Sequence, residues 1–220
     1  MKTPCGCTHE IEPECGVIYS THKCEFHVNA QREINTLNQE YYLECGGCQS
    51  SPPHCDQLVE AVGVLEYAKI KGETRALEIG GGPSPYVKLL QEGGYVYEGV
   101  EPSSWATLWM INNYHVTIQN TAFEDFIPEG LYGLVLAAHV LEHVKDIYIV
   151  MKKIYEVLEP GGYLYVVIPD DTDLCNPDHL WFFTENSFKR VLYHTGFNVE
   201  AQAVRQHVSY EKFMYYKARK

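Results

Sequence analysis

From Gly72 to the C-terminus the chain alternates short β-runs with amphipathic helical runs, and this alternation leaves few folds open. RALEI (75–79) reads as a β-run. PSPYVKLLQEGG follows as a helix, with Val87, Leu89 and Leu90 on its apolar side and Gly93 as its stop. YVYEGVE (strand), SWATLWMINNY (helix) and HVTIQ (strand) come next, then LYGLVLAAHV (strand), IYIVMKKIYEVL (helix), GYLYVVIP (strand) and SFKRVLYHTGF (helix). Two strands, NVEAQAVRQ and KFMYYKAR, close the chain. Strands separated by helices of this length run parallel, with the helices covering both faces of the sheet. The expected class is α/β: a doubly wound, mostly parallel, seven-stranded sheet. The last two strands have no helix between them, so the final strand is expected to be antiparallel.

The first strand of this series opens into Gly80-Gly81-Gly82-Pro83-Ser84. Glycines between a strand and a helix permit a sharp turn and let a ligand approach the backbone without meeting a Cβ. The next strand ends in an acid, Glu101, whose carboxylate can accept from both hydroxyls of a ribose. Together these features point to a nucleoside-containing cofactor. A second acid, Glu78, precedes the glycines. It would repel a pyrophosphate but tolerate a cationic sulfonium ligand with a free ammonium group. With the antiparallel ending, this favours S-adenosylmethionine over a nicotinamide dinucleotide.

ALEIGGGPSP, YEGVEPS, TAFEDF, LVLAAHVLEHV, VLEPGGYLYVVIPD and HLWFFTENSFKRVLYHTGF occur in that order. Over about residues 74–210 this set resembles the class I S-adenosylmethionine-dependent methyltransferases, in the branch with an hVLEHV signature. The resemblance implies a Rossmann-like methyltransferase fold. It also implies that Gly80 and Gly82, with Gly81 between them, bring the backbone against the methionine part of the cofactor. Glu78 would lie near its amino end and Glu101 at the ribose, with Pro102 or Ser103 flanking the adenine. Ala122, Phe123 and Glu124 match the segment that meets the adenine ring and its amino group. Ala138 and His139, at the tip of the fourth strand, would border the methionine and the transferred methyl. Two positions depart from the pattern: Ser84 stands where a third glycine is common, and Gly133 where an Asp often opens the fourth strand.

Methyl transfer from a sulfonium is an in-line displacement, so the protein mainly supplies proximity and alignment. A general base is needed only for an acceptor protonated at neutral pH. His139, Asp170, Asp171 and His179 fall near the carboxyl ends of the fourth and fifth strands, where open α/β sheets bind ligands. His139 and His179 are the catalytic candidates; His179 matches a histidine of many relatives. Glu142 and His143 read as structural, and Trp181, Phe182 and Phe183 as core.

Residues 1–55 have a different character, and a boundary is expected between them and 56–220. Of eight cysteines, only Cys175 lies beyond residue 55. The opening MKTPCGCTHEIEPEC has no apolar core of a signal peptide, so a cytoplasmic location with reduced thiols is expected. Clustered Cys and His in that setting read as metal ligands. Cys5-x-Cys7 and Cys24-x2-His27 are two short pairs that can build a tetrahedral structural zinc site, with Cys15 as the substitute ligand. GVIYS (16–20), between them, can form a hairpin strand. Cys45, Cys48, His54 and Cys55 are a candidate second site. Helices are expected over 31–43 and from about Asp56 to Ile70.

The net charge of -12 disfavours a long nucleic acid as partner and leaves a small-molecule or glycan-like methyl acceptor. The chief rival is a catalytically degenerate binding protein of the same fold, whose zinc module docks a partner. A nucleotide-dependent oxidoreductase is the third reading.

Overall fold

Each β-run rich in Val, Ile, Leu and Tyr becomes a strand, and each helical run between them a crossover. The structure is a computed structural model that describes residues 8–13, 17–22, 74–84, 86–170, 179–206 and 212–220. Its elements are β1 (Thr8–Ile11), β2 (Ile18–His22), β3 (Thr74–Ile79), α1 (Tyr86–Glu92), β4 (Tyr95–Val100), α2 (Ser104–Tyr114) and β5 (Thr117–Gln119). After a 3₁₀ turn at Phe123–Asp125 come β6 (Tyr132–Ala138), α3 (Ile147–Val157), β7 (Leu158–Pro169), β8 (Trp181–Phe182), α4 (Glu185–His194), β9 (Asn198–Gln206) and β10 (Lys212–Arg219). The helices expected over 31–43 and 56–70 lie outside the described residues.

The large sheet has seven strands in the order β5-β4-β3-β6-β7-β10-β9. β3 pairs in parallel with β4 and β6, and β6 with β7. β10 runs antiparallel to both β7 and β9, as expected for the last strand. The order reverses at β3, with β4 on one side and β6 on the other. That switch point opens a crevice at the carboxyl ends of β3, β4 and β6.

Both faces of the central strands are buried, as a parallel sheet requires. Leu77, Ile79, Val135, Ala137, Leu164 and Val166 point to one face, where Val150, Ile154, Phe188 and Val191 of α3 and α4 cover them. Ala76, Leu134, Leu136 and Val167 point to the other, under Val87, Leu90 and Met110 of α1 and α2. Away from the crevice, Glu98 ties three adjacent strands together. It accepts from Arg75 at 2.7 Å and from the Tyr132 hydroxyl at 2.8 Å. Trp181, Phe182 and Phe183 are all buried, in keeping with their reading as core.

Helix α4 starts with a reciprocal cap: the Thr184 side chain accepts from the Ser187 amide, and the Ser187 hydroxyl accepts from the Thr184 amide. Thr184→Ala should lower stability by about 1 kcal/mol, measured by urea unfolding, with the slope of the transition unchanged.

A smaller antiparallel sheet has the order β1-β2-β8. The hairpin strand read at 16–20 is observed as β2, paired with β1 and, through Ile18–Phe182 and Tyr19–Trp181, with β8. Val17 is fully buried in the main core, and the Tyr148 hydroxyl of α3 donates to Glu12 at 3.0 Å. Backbone pairing and side-chain burial thus join the front hairpin to the large domain. Among the described residues no helix is long and apolar enough to cross a membrane.

Candidate functional site

The glycine loop leaves β3 at the switch point, and its backbone takes conformations that side chains resist. Gly80 has φ +62° and Gly82 φ +51°, both left-handed. The Gly80 amide donates to Val100 O at 2.8 Å, which holds the loop against the end of β4. A Cβ on Gly80 would fall 2.5 Å from Cγ2 of Val140, so the stretch after β6 lies directly over the loop.

Glu101 follows β4 and is 4% exposed. Its Oε2 accepts from the Gly82 amide at 3.0 Å and its Oε1 from the Ser103 amide at 2.7 Å. The carboxylate therefore clamps the glycine loop to the start of α2, where Ser103 is the N-cap. Asn120, which the sequence reading did not single out, donates to the carbonyls of Glu101 and Pro102 at 2.9 and 3.0 Å and fixes the corner from β5. Pro102 is partly exposed at that corner.

Glu78 sits beneath the loop rather than on its open side. It is 1% exposed. Its carboxylate accepts from the Ser84 hydroxyl at 2.7 Å and from the Tyr97 hydroxyl at 2.6 Å. Ser84, fully buried, also accepts from the Tyr86 amide at 3.0 Å, so this serine joins the acid to the first turn of α1. A glycine could not make that link. A Cβ on Gly81 would come within 2.9 Å of Glu78 Oε2.

Burial pushes the Glu78 carboxyl up to about 7, against the hydrogen bonds from Tyr97 and Ser84 and with the help of the Glu101 charge. Its ordinary value is 4.5, so between pH 4.5 and 7 the folded chain holds a proton that the unfolded chain has released. Stability from this group is present below pH 4.5 and is lost as pH rises through 7. The full loss is about 3 kcal/mol. Denaturant titrations at pH 5 and pH 8 should show a fall of that order beyond that of Glu78→Gln; equal falls in the two proteins would refute the assignment.

At the tip of β6, Ala138 is partly buried and His139 has a left-handed φ of 55°, a strained conformation for a residue with a side chain. The His139 amide donates to Val167 O at 2.9 Å, and the ring lies edge-on to Phe213 at 4.7 Å. Nδ1 is 3.5 Å from Oε1 of Glu142, a fully buried carboxylate. Burial alone would raise the Glu142 carboxyl, but the hydrogen bond from His139 and the charges of His143, His139 and His179 outweigh it and hold it below the usual value. His179 faces His143 with ring centroids 5.0 Å apart.

Phe123 is buried in the core, stacked on Phe126, and Ala122 before it is partly exposed. Asp170, just past β7, donates its amide to Lys212 O. Asp171 and the proposed zinc ligands Cys5, Cys7, Cys24 and His27 lie outside the described residues, as do Cys15, Cys45, Cys48, His54 and Cys55. The structure brings Gly80, Gly82 and Glu101 into one bonded unit, and it brings His139 and His179 each close to Glu142.

A sequence profile of a family described as "Methyltransferase domain" matches residues 54–202. A search of curated proteins finds no match. Among solved structures, the chain is similar to Burkholderia thailandensis 1,6-didemethyltoxoflavin-N1-methyltransferase, solved with 1,6-didemethyltoxoflavin and S-adenosylhomocysteine bound. The identity is 12%, the TM-score 0.67, and 96% of this chain and 98% of that chain are covered. It is similar to the N-methyltransferase NodS from Bradyrhizobium japonicum WM9, with 16% identity, TM-score 0.61 and coverage of 76% and 97%. Magnesium protoporphyrin IX methyltransferase from Synechocystis PCC 6803, with S-adenosylhomocysteine bound, is similar at 16% identity, TM-score 0.58 and coverage of 76% and 83%.

Proposed function

The chain belongs to the family of methyltransferase domains, and from that premise we propose that it transfers a methyl group from S-adenosylmethionine to a small-molecule or glycan-like acceptor. One observation carries the reading: Glu101, after β4, accepts from the amide of Gly82 in the loop after β3. The acid-tipped strand and the glycine loop are thus a single preformed unit at the switch point, where a nucleoside ligand spans both.

The residues present fit that cofactor. Among the described residues the amide of Gly81 makes no hydrogen bond, and the residue is partly exposed, so a donor is available to the cofactor's carboxylate. Glu101, at the clamp between the loop and α2, is the acceptor for a ribose diol. When bound, the cofactor supplies a methyl already activated on a sulfonium.

The chain's own residues orient the reactants and manage a proton. Val140 covers the loop and, with Phe213 beside His139, gives the methyl site apolar walls. His139 is half-exposed, and its Nδ1 faces the Glu142 carboxylate. A carboxylate at Nδ1 selects the tautomer that leaves Nε2 with its lone pair, the arrangement of a base oriented by a buried acid. For an acceptor protonated at neutral pH, Nε2 of His139 takes the proton; His179 stands near Glu142 and His143. Two of the relatives named above are named for small molecules, 1,6-didemethyltoxoflavin and magnesium protoporphyrin IX, which supports an acceptor of that size. A structural zinc on Cys5, Cys7, Cys24 and His27 completes the proposal, checked by zinc content before and after Cys5→Ser and Cys24→Ser.

Calorimetric titration with S-adenosylmethionine and S-adenosylhomocysteine, then a labelled-methyl screen over small-molecule, glycan, peptide and RNA acceptors, tests this. One-to-one binding with turnover on a small acceptor is expected. Absence of binding would sink the cofactor; tight binding without turnover on any class would favour the binding-protein reading.

A further inference from the structure

Glu142 is wholly buried, and its two oxygens are unequally served. Its Oε2 is inaccessible and has no hydrogen-bond partner among the described residues. Its Oε1 lies 3.5 Å from His139 Nδ1, a long hydrogen bond, and 3.9 Å from His143 Nε2, beyond hydrogen-bond reach. A carboxylate removed from water with one oxygen unpaired is costly, and such groups in folded chains are usually met by a partner or an ion.

Two imidazoles converge on this carboxylate from different stretches of the chain. One ligand atom each from Glu142, His143 and His179 lies within 4.8 Å of the others. The His143 and His179 rings stand 74° apart with centroids 5.0 Å apart. Their stretches are laced together by backbone. The amides of Leu180 and Trp181 donate to Glu142 O at 2.8 and 3.1 Å, and the Trp181 indole donates to Val144 O at 2.8 Å. The His143 amide in turn donates to Val140 O at 2.9 Å. Residues next to each proposed ligand are therefore pinned, which is how outer-shell bonding prepares a metal site.

We infer that Glu142, His143 and His179 bind one divalent first-row metal ion. Two imidazoles and a carboxylate suit zinc, cobalt or iron(II) and leave at least one coordination position open. A tetrahedral ion holds its donors roughly 3.3 Å apart, so side-chain rotations of about 1 Å close the set. The ion would supply the missing partner of Glu142. The inference stands whether or not the chain transfers methyl groups.

The test uses the full chain, stripped of metal and titrated with cobalt(II). Cobalt on imidazole and carboxylate gives only weak ligand-field bands, whereas cobalt on the front cysteines gives intense thiolate charge transfer, so the two populations separate. Wild type should take up one equivalent without charge transfer. His179→Ala and His143→Asn should each weaken that equivalent at least tenfold and abolish the metal-induced rise in Tm. On the unaltered protein, paramagnetic cobalt should broaden the His143 and His179 proton resonances before those of His115 and His194. Equal uptake of the non-thiolate equivalent in all three proteins, or no selective broadening, would overturn the inference and leave Glu142 as a plain partner of the neighbouring histidines.

Discussion

Replacing Glu101 by alanine should weaken S-adenosylhomocysteine binding at least a hundredfold, or about 2.7 kcal/mol, and destabilise the cofactor-free chain as well. Both effects trace to one carboxylate. It accepts from the amides of Gly82 and Ser103. Hydrogen bonds to a charged group are worth about 1.5–3 kcal/mol each, and the alanine leaves both amides without their acceptor. The loop then loses its tie to α2 before any ligand arrives, so preorganisation is lost together with the ribose contact. A stability loss of about 2–4 kcal/mol is expected. Glu101→Gln should fall between, since its carbonyl oxygen can replace one acceptor and its amide group cannot replace the other. The Glu101 charge also helps to raise the Glu78 carboxyl. In Glu101→Ala the pH-dependent stability loss should therefore end at a lower pH than in wild type. Calorimetry and denaturant unfolding across pH check all three. Binding within threefold of wild type would remove Glu101 from the cofactor site.

The strands of the large sheet were legible because burial on both faces leaves continuous apolar runs of a length that only strands use. NVEAQAVRQ and KFMYYKAR match β9 and β10 end to end. The short strands were not legible. β8 is two residues, Trp181 and Phe182, too few to show a period, and it exists because β2 comes across to pair with it. The glycine loop and Glu101 could be read because strand, loop and acid are ordered along the chain. Their direct bond could not, since it joins residues brought together by the parallel register of β3 and β4. The position of Glu78 before the glycines points to a cationic ligand. Its carboxylate turns inward because Tyr97 and Ser84 offer two hydroxyl donors there. The motif around Glu142 marks it only as structural. Its full burial and unpaired oxygen depend on residues 179–181 folding back over it, and nothing local announces that.

Gly80→Ala should cost about 2–5 kcal/mol of stability and most of the cofactor affinity, and Val140→Ala should return part of both. Two separable penalties act at this position. The left-handed φ of +62° costs a residue with a Cβ about 1–2 kcal/mol. The Cβ also meets Val140 Cγ2 at 2.5 Å, closer than van der Waals contact permits. Valine has a single stiff χ1, so it yields only by moving backbone, and overpacking of this kind costs about 1–3 kcal/mol more. Truncating Val140 removes the second penalty and leaves the first. The double variant should therefore be more stable than the sum of the single effects predicts, by at least about 1 kcal/mol. Val140→Ala alone should cost little more than its partly buried methyl groups. If the two substitutions add without coupling, Val140 does not lie over the loop. Cofactor affinity that stays at the wild-type level in Gly80→Ala would show that the ligand does not approach the backbone at this glycine.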